Sequence, residues 1–360
     1  MKITFFIGNG YDINIGLKTA YHDFLKWYVE QPSKNDTIAD FKKIIEDGIE
    51  YWSDLEIALG RKTLTHPLNT KAGFTTCKYD LDTQLQKYLK QQNQLIQKPS
   101  EQDIDVFRQS IVKFSLCCAP AYQADLQRIY NSHGIEAYEY NIVDFNFTNT
   151  VDIFWDILPK NSFWHNVYYP ELLDGERFRT VDKKGKLFHI HGTLNNEMMT
   201  GVGEPEQLAN TIFQRTDTIT SLCVKPIMNE NCRNEIERKV AKLIDSTDIF
   251  VIYGMSIGIT DKKWWRSVVS RLLTEDNSYL LIVNYDKDYN PALPYTSSLV
   301  ARKIISNLLE VSGCPQEYQG ILKKKIAVLL NTDMLRSAVL ISARRTVSGM
   351  TACIMGRYLP

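Results

Sequence analysis

The sequence predicts an α/β fold built on a mostly parallel sheet with helices on both faces, and three observations predict it. Short, continuous apolar runs recur at Ile3 to Ile7, Asp248 to Tyr253 and Leu280 to Asn284, the pattern of strands buried on both sides. Stretches with apolar residues at helical spacing lie between them, and that alternation belongs to a parallel sheet covered by helices. Two runs empty at once into glycine, at Gly8-Asn9-Gly10 and at Gly254, and in such sheets ligands lie beyond the carboxyl ends of the strands. The architecture expected is Rossmann-like, with a large helical insertion after the first strand.

The first run is rich in β-branched and aromatic residues and reads as a central strand. Glycines on either side of Asn9 would let the backbone take positive φ, gather bare N–H groups and leave no side chain to fend off a ligand. The loop then either cradles a phosphate or is a plain connection. Phe24, Trp27 and Tyr28 share one face of a helix beginning near Tyr21. A second helix is expected from about Ile38 through Trp52 and Leu55 to Leu59, stopping near Gly60. Glu56 sits inside its apolar stripe, and a carboxylate there must face water or find a partner. Leu81, Leu85 and Leu89 mark an amphipathic helix, and the periodicity from Ile104 resumes beyond Pro120, which should kink or split the element. Residues 21–133 are thus expected to form one helical cap.

Strand character returns at Ala137 to Thr148, whose alternation places Asp144, Asn146 and Thr148 on one face. A charged linker at 182–186 precedes a strand from Leu187 to His191 that closes on Gly192, with His189 and His191 on a shared face. Ile236 to Leu243 reads as a helix, and after Gly254 either Thr260 or Asp261 can cap a helix carrying Trp264, Trp265, Val268 and Leu272. Ile321 to Leu330 is expected to be helical, and residues 344–360 match no element. The division expected is a nucleotide-binding core of 1–20 and 134–311, the insertion 21–133, and a C-terminal helix and tail at 312–360.

Composition removes several function classes. Lys+Arg and Asp+Glu both total 42 in 360 residues, so no bulk positive field draws in nucleic acid. No apolar run approaches the ~20 residues of a membrane span, and the start leads straight into a strand, so a cytoplasmic protein is expected. Seven scattered cysteines without a C-x-x-C pair read as free, mostly buried thiols. There is no P-loop and no nucleophile elbow.

Four strand exits carry the candidate chemistry: Gly8-Asn9-Gly10-Tyr11-Asp12, Asn146-Phe147-Thr148-Asn149, His189-Ile190-His191-Gly192 and Gly254-Met255-Ser256. If these strands are neighbours, two glycine loops face an asparagine and a histidine across one crevice, which suits a nucleotide. The His191 imidazole can take a proton near neutrality, or close a turn. The Asn146 amide can hold a water or a ribose hydroxyl, or satisfy the backbone. Asp12 and Asp261 either bind ligand hydroxyls or cap the helices that follow. His189 and His191 with Asp144 or Asp261 lack the spacing of a recognised zinc site, and no metal is expected.

These same residues resemble a family. GNGYD after the first strand, followed by GLKTAYHDF, resembles the opening of bacterial AbiH-type phage abortive-infection proteins. Trp52 to Glu56 is similar to that family's W-x-x-L-E segment, Asn146 to Thr150 to its N-[YF]-T-N-T strand end, and His189 to Gly192 to its H-x-H-G. Gly201-Val202-Gly203 with Gln207, Lys225-Pro226, and Gly254 to Gly258 with Asp261 resemble its later motifs. AbiH proteins in turn resemble distant sirtuin-type relatives, which bind NAD on a Rossmann-like sheet. That resemblance implies that Asn146 orients the ribose or a water and that His191 is catalytic. It implies that Gly8, Asn9 and Gly10 hold the pyrophosphate and that Gly254 and Ser256 lie by the adenosine half; Asp12 and Thr148 are further candidate cofactor-binding residues. No cysteine quartet for a sirtuin zinc module is present, so a deacetylase is not implied. The expected activity is cleavage of the nicotinamide–ribose bond of NAD in phage defence. A sensor that binds NAD or ADP-ribose without cutting it is the first alternative, and a nuclease toxin the second. A phage-derived trigger and a homo-oligomer are further partners the resemblance allows.

Overall fold

The computed structural model describes residues 1–52, 54–132, 138–159, 161–165, 180–287, 289–290 and 292–335. Seven strands form one sheet: β1 (Lys2–Ile7), β2 (Tyr138–Asp144), β3 (Asn161–His165), β4 (Thr180–His189), β5 (Ile249–Tyr253), β6 (Tyr279–Asn284) and β7 (Ile326–Leu330). Their order is β3-β4-β2-β1-β5-β6-β7. Every neighbouring pair is parallel except β3 with β4 at one edge. The predicted Rossmann-like α/β class is therefore what the chain adopts, with six parallel strands in succession.

The helices are α1 (Gly10–Asn14), α2 (Tyr21–Glu30), α3 (Asp36–Glu46), α4 (Leu55–Arg61), α5 (Lys71–Asn93), α6 (Glu101–Val112), α7 (Pro120–Ser132) and α8 (Thr150–Ile157) in the first half. In the second half follow α9 (Asp217–Cys223), α10 (Lys225–Asn231), α11 (Ile236–Asp245), α12 (Lys262–Thr274), α13 (Pro294–Val311) and α14 (Gln316–Leu322). β1 shows how the sheet is sandwiched. Ile3, Phe5 and Ile7 pack with Phe107, Ile111, Leu126 and Phe154 of α6, α7 and α8. Phe6 points to the opposite face, among Val240, Trp265, Leu272, Leu308 and Leu322 of α11 to α14. Burying both faces requires the unbroken apolar runs seen in the sequence.

The helical stretch 21–133 does two jobs, not one. Its last part, α6 and α7, covers the sheet. Its first part forms a separate core in which Phe24, Tyr28, Phe41, Trp52, Leu59, Phe74 and Leu85 pack with Leu194, Val202, Phe213 and Cys223 from a distant segment. The expected cap is therefore α2 to α5 joined by residues 194–224.

Other expectations change at the element level. The helix expected over 38–59 is broken into α3, a 3-10 turn at Ile49–Trp52 and α4, because Asp54 caps a new start by accepting the Ile57 N–H at 3.1 Å. Pro120 does split its helix, standing at the start of α7. The charged residues 182–186, expected as a linker, belong to β4, where they pair with β2 and β3. Residues 326–330, expected to be helical, are β7, so the sheet runs beyond the expected core boundary at 311. Residues 344–360 and Ala137 lie outside the described residues.

Candidate active site

At the carboxyl ends of β1, β2, β4 and β5 lies a cavity of about 260 Å³ whose walls include Gly8, Asn9, Asn146, His191, Gly254 and Ser256. The crossovers that make the strands parallel bring these exits to one edge of the sheet. Tyr21 and Glu56 reach it from the cap, and Lys225 and Asp261 from the starts of α10 and α12. Gly10, Asp12 and Thr148, also expected at the site, do not line it.

The glycines act differently from the expectation. Gly8 donates its N–H to the Tyr253 carbonyl at 3.0 Å, and Gly10 donates its own to the Gly254 carbonyl at 2.7 Å. Neither has positive φ; of these loop glycines only Gly254 does, at 63°. A Cβ on Gly10 would stand 2.5 Å from the Gly254 Cα. The two loops are thus glycine-rich because their backbones touch, and the Gly8 and Gly10 N–H groups, expected to be bare for a phosphate, are already used. Asn9 is also spoken for: its Nδ2 donates to the Thr19 carbonyl at 2.9 Å and its Oδ1 accepts the Thr19 hydroxyl.

Asp12 is neither a helix cap nor a ligand group in the main cavity. It lies inside α1, buried, and accepts the hydroxyls of Thr148 at 2.7 Å and Thr150 at 2.6 Å. Burial pushes its carboxyl up to about 6 against the opposing effect of those hydroxyls. Asp12 and Thr148 line a smaller adjoining space of about 90 Å³, shared with Asn9 and Asn146.

Asn146 lies two residues beyond the end of β2 at Asp144, so the expected strand face shared by Asp144, Asn146 and Thr148 does not form. Its N–H donates to Asp144 Oδ1 at 3.0 Å and its Nδ2 to the Gly8 carbonyl at 3.2 Å. With the amide nitrogen so fixed, no described residue donates to its Oδ1. His191 stands edge-on to Phe145, with ring centroids 5.4 Å apart, and its Nε2 lies 3.0 Å from Asp261 Oδ1.

Asp261 begins a buried chain of charges. Its Oδ1 is 3.4 Å from Lys225 Nζ, which lies 2.8 Å from Glu56 Oε2, and Glu56 Oε1 accepts the Gly201 N–H at 2.9 Å. Burial opposes ionisation of Asp261, yet Lys225 and His191 hold its carboxyl well below the usual range. Burial equally opposes the Lys225 charge, but Asp261 and Glu56 keep its ammonium above the usual range. Of the two expectations for Glu56, facing water is excluded, since the residue is 8% exposed and fully partnered. Asp261 occupies the N-cap position of α12, but its side chain makes no capping bond. Lys225 was visible in the sequence only as part of a motif, because nothing local signals a lysine whose partners come from α4 and α12.

The expected common face of His189 and His191 does not form, because β4 ends at His189 and the chain turns. His189 Nε2 is 2.9 Å from Asp152 Oδ1 on α8, and its Nδ1 is 3.7 Å from Asp144 Oδ2. Burial lowers and the two carboxylates raise the affinity of this ring for a proton, and the carboxylates prevail. Among the described residues, Asp144, Asp152 and His189 form the group able to hold a metal ion.

A search of curated proteins returned no match. The family model for bacteriophage abortive infection AbiH matches residues 4–284, from β1 through the last residue of β6. With six of the seven described strands, save the first two residues of β1, the cavity at their exits and the buried charges inside the matched residues, the chain belongs to the AbiH family of bacteriophage abortive infection.

Proposed function

We propose that the chain, which its family assigns to phage abortive infection, binds NAD or a related nucleotide in the cavity at the strand exits and cleaves its nicotinamide–ribose bond. One observation carries this reading: the Asn146 amide and the His191 ring line one cavity beside a buried charge chain of two carboxylates and one ammonium. That chain has one negative charge in excess. Cleaving an N-ribosyl bond builds positive charge on the sugar, as in glycoside hydrolysis, and a fixed negative charge nearby favours that transition state over the ground state.

The groups divide the work. Asp261, held ionised, requires the His191 proton on Nε2, which leaves Nδ1 with a lone pair. Nδ1 takes a proton from water as the water oxygen attacks C1′. The C1′–N bond breaks, and its electron pair returns to the nicotinamide ring. Asn146 Oδ1, to which no described residue donates, accepts from that water or from a ribose hydroxyl. With the Gly8 and Gly10 N–H groups already bonded, the phosphates are better served by the adjoining space of about 440 Å³. It shares His191, Lys225 and Asp261 with the site and adds Lys262, Lys263 and Arg266 together with Glu204 and Glu237.

Incubating the purified chain with NAD, alone and with phage lysate, and separating the products tests this. Nicotinamide and ADP-ribose should appear in equal amounts, and His191→Ala should slow their release by about 10²-fold or more. Asn146→Ala should slow it as well. Unchanged release in His191→Ala discards the mechanism, and NAD that binds yet returns intact makes the chain a sensor instead.

A further inference from the structure

A second cluster, beneath the Asn146 turn on the α8 side of the sheet, contains three buried polar atoms that no hydrogen bond satisfies: Asp144 Oδ2, Asp152 Oδ2 and His189 Nδ1. Buried polar atoms are nearly always paired, so three orphans in one cluster call for a missing partner. Asp144 ends β2 and is wholly buried, Asp152 lies in the first turn of α8, and His189 ends β4. One ligand-type atom from each lies within 4.8 Å of the others.

The arrangement specifies what the partner is. Asp152 Oδ1 sits 2.9 Å from His189 Nε2 and accepts its N–H, so that in the neutral ring Nδ1 carries a lone pair. That lone pair faces Asp144 Oδ2 at 3.7 Å, and the oxygen of an ionised carboxylate also offers only lone pairs. Two acceptors facing each other repel unless a proton or a cation lies between them, and 3.7 Å is too long for a hydrogen bond through a proton. The distance is close to the edge between two ligands on one metal with bonds of about 2.0–2.2 Å, roughly 3.4 Å in a tetrahedral site. A carboxylate on the far nitrogen is also how metal-bound histidines are oriented. No Lys or Arg among the described residues pairs with either carboxylate. The Asp152 side chain is 29% exposed and that of His189 14%, which gives an ion and its waters a way in.

We propose that Asp144 Oδ2 and His189 Nδ1, with Asp152 orienting the imidazole from its far nitrogen, bind a first-row divalent cation of the Zn²⁺ or Mn²⁺ kind whose remaining positions water fills. An imidazole beside a carboxylate suits such ions better than Ca²⁺ or Mg²⁺, which take oxygen ligands. The ion ties β2, β4 and α8 together. It also fixes the site's asparagine, because the other oxygen of Asp144 accepts the Asn146 N–H. The proposal does not depend on NAD being the ligand of the main cavity.

The test uses the full chain, stripped with a chelator and titrated with Zn²⁺ and with Mn²⁺ by calorimetry, with a thermal melt at each end point. One equivalent should bind, and Tm should rise by roughly 5 °C at a hundredfold excess over Kd. His189→Gln and Asp144→Asn should lose the equivalent, and Asp152→Asn should weaken it about 10–100-fold. His66→Ala, which removes an exposed histidine beside Asp40, should keep it. Absence of a stoichiometric site in the wild-type chain, or equal binding by wild type and His189→Gln, overturns the proposal and leaves a protonated His189 between the carboxylates.

Discussion

Glu56 and Lys225 are 169 positions apart and meet at 2.8 Å. The sequence said of Glu56 only that an apolar stripe had no water for it, which demanded a partner without naming one. Asn146 and His191 were legible for the opposite reason: each follows a strand whose end can be read locally, and strand ends define the crevice. Asp12 shows what residue chemistry adds beyond either. Its carboxyl rises from 3.8 to about 6 on folding, so the folded chain binds this proton more tightly than the unfolded chain. Its contribution is therefore most favourable at acid pH and is lost as pH rises from about 4 through 6, by about 3 kcal/mol at most. Asp12→Asn should remove that dependence, gaining on wild type between pH 4 and pH 7 in urea melts. Parallel stability curves for the two proteins over that range would contradict it.

At the scale of elements, the strands buried on both faces were readable because nothing polar interrupts them: β1, β5 and β6 stand where their apolar runs placed them. β4 was misjudged because it lies toward the edge, where Lys183 and Lys186 remain in water and a strand carries charges that read as a linker. β7 was misjudged because its five residues follow Lys323-Lys324-Lys325 and a helical turn, and a short apolar run does not declare its period. The glycines make a sharper contrast. Gly10→Ala places a methyl 2.5 Å from the Gly254 Cα and should cost about 1–3 kcal/mol or more in denaturant unfolding. Gly320→Ala, inside α14 with nothing within 4 Å, should instead stabilise by up to about 1 kcal/mol. Equal effects from the two changes would remove the close-contact account of the first loop.

For the whole molecule, burial is ordered about the central strands. β1 and β5 have neighbours on both sides and helices over both faces, whereas β7 has no described strand beyond it. Amide exchange should therefore be slowest in β1 and β5, at the rate set by global unfolding, and faster in β7. Protection in β7 equal to that in β5 would refute that ranking. The cap core is a different kind of structure, made of two segments that the sequence separates and that only packing unites, which is why periodicity could find its helices but not its composition. The backbone seam between Gly10 and Gly254 then has a mechanical meaning. Because β1 and β5 are sewn together main chain to main chain, a ligand has no gap to open in that floor. The roof above is joined to the core by the Leu194 N–H to the Phe147 carbonyl at 2.9 Å and by side-chain bonds, Lys225 to Asp261 and Gln207 Nε2 to the Ile259 carbonyl at 3.1 Å. Room for a guest is then to be made at the roof, where α4 and α10 carry Glu56 and Lys225.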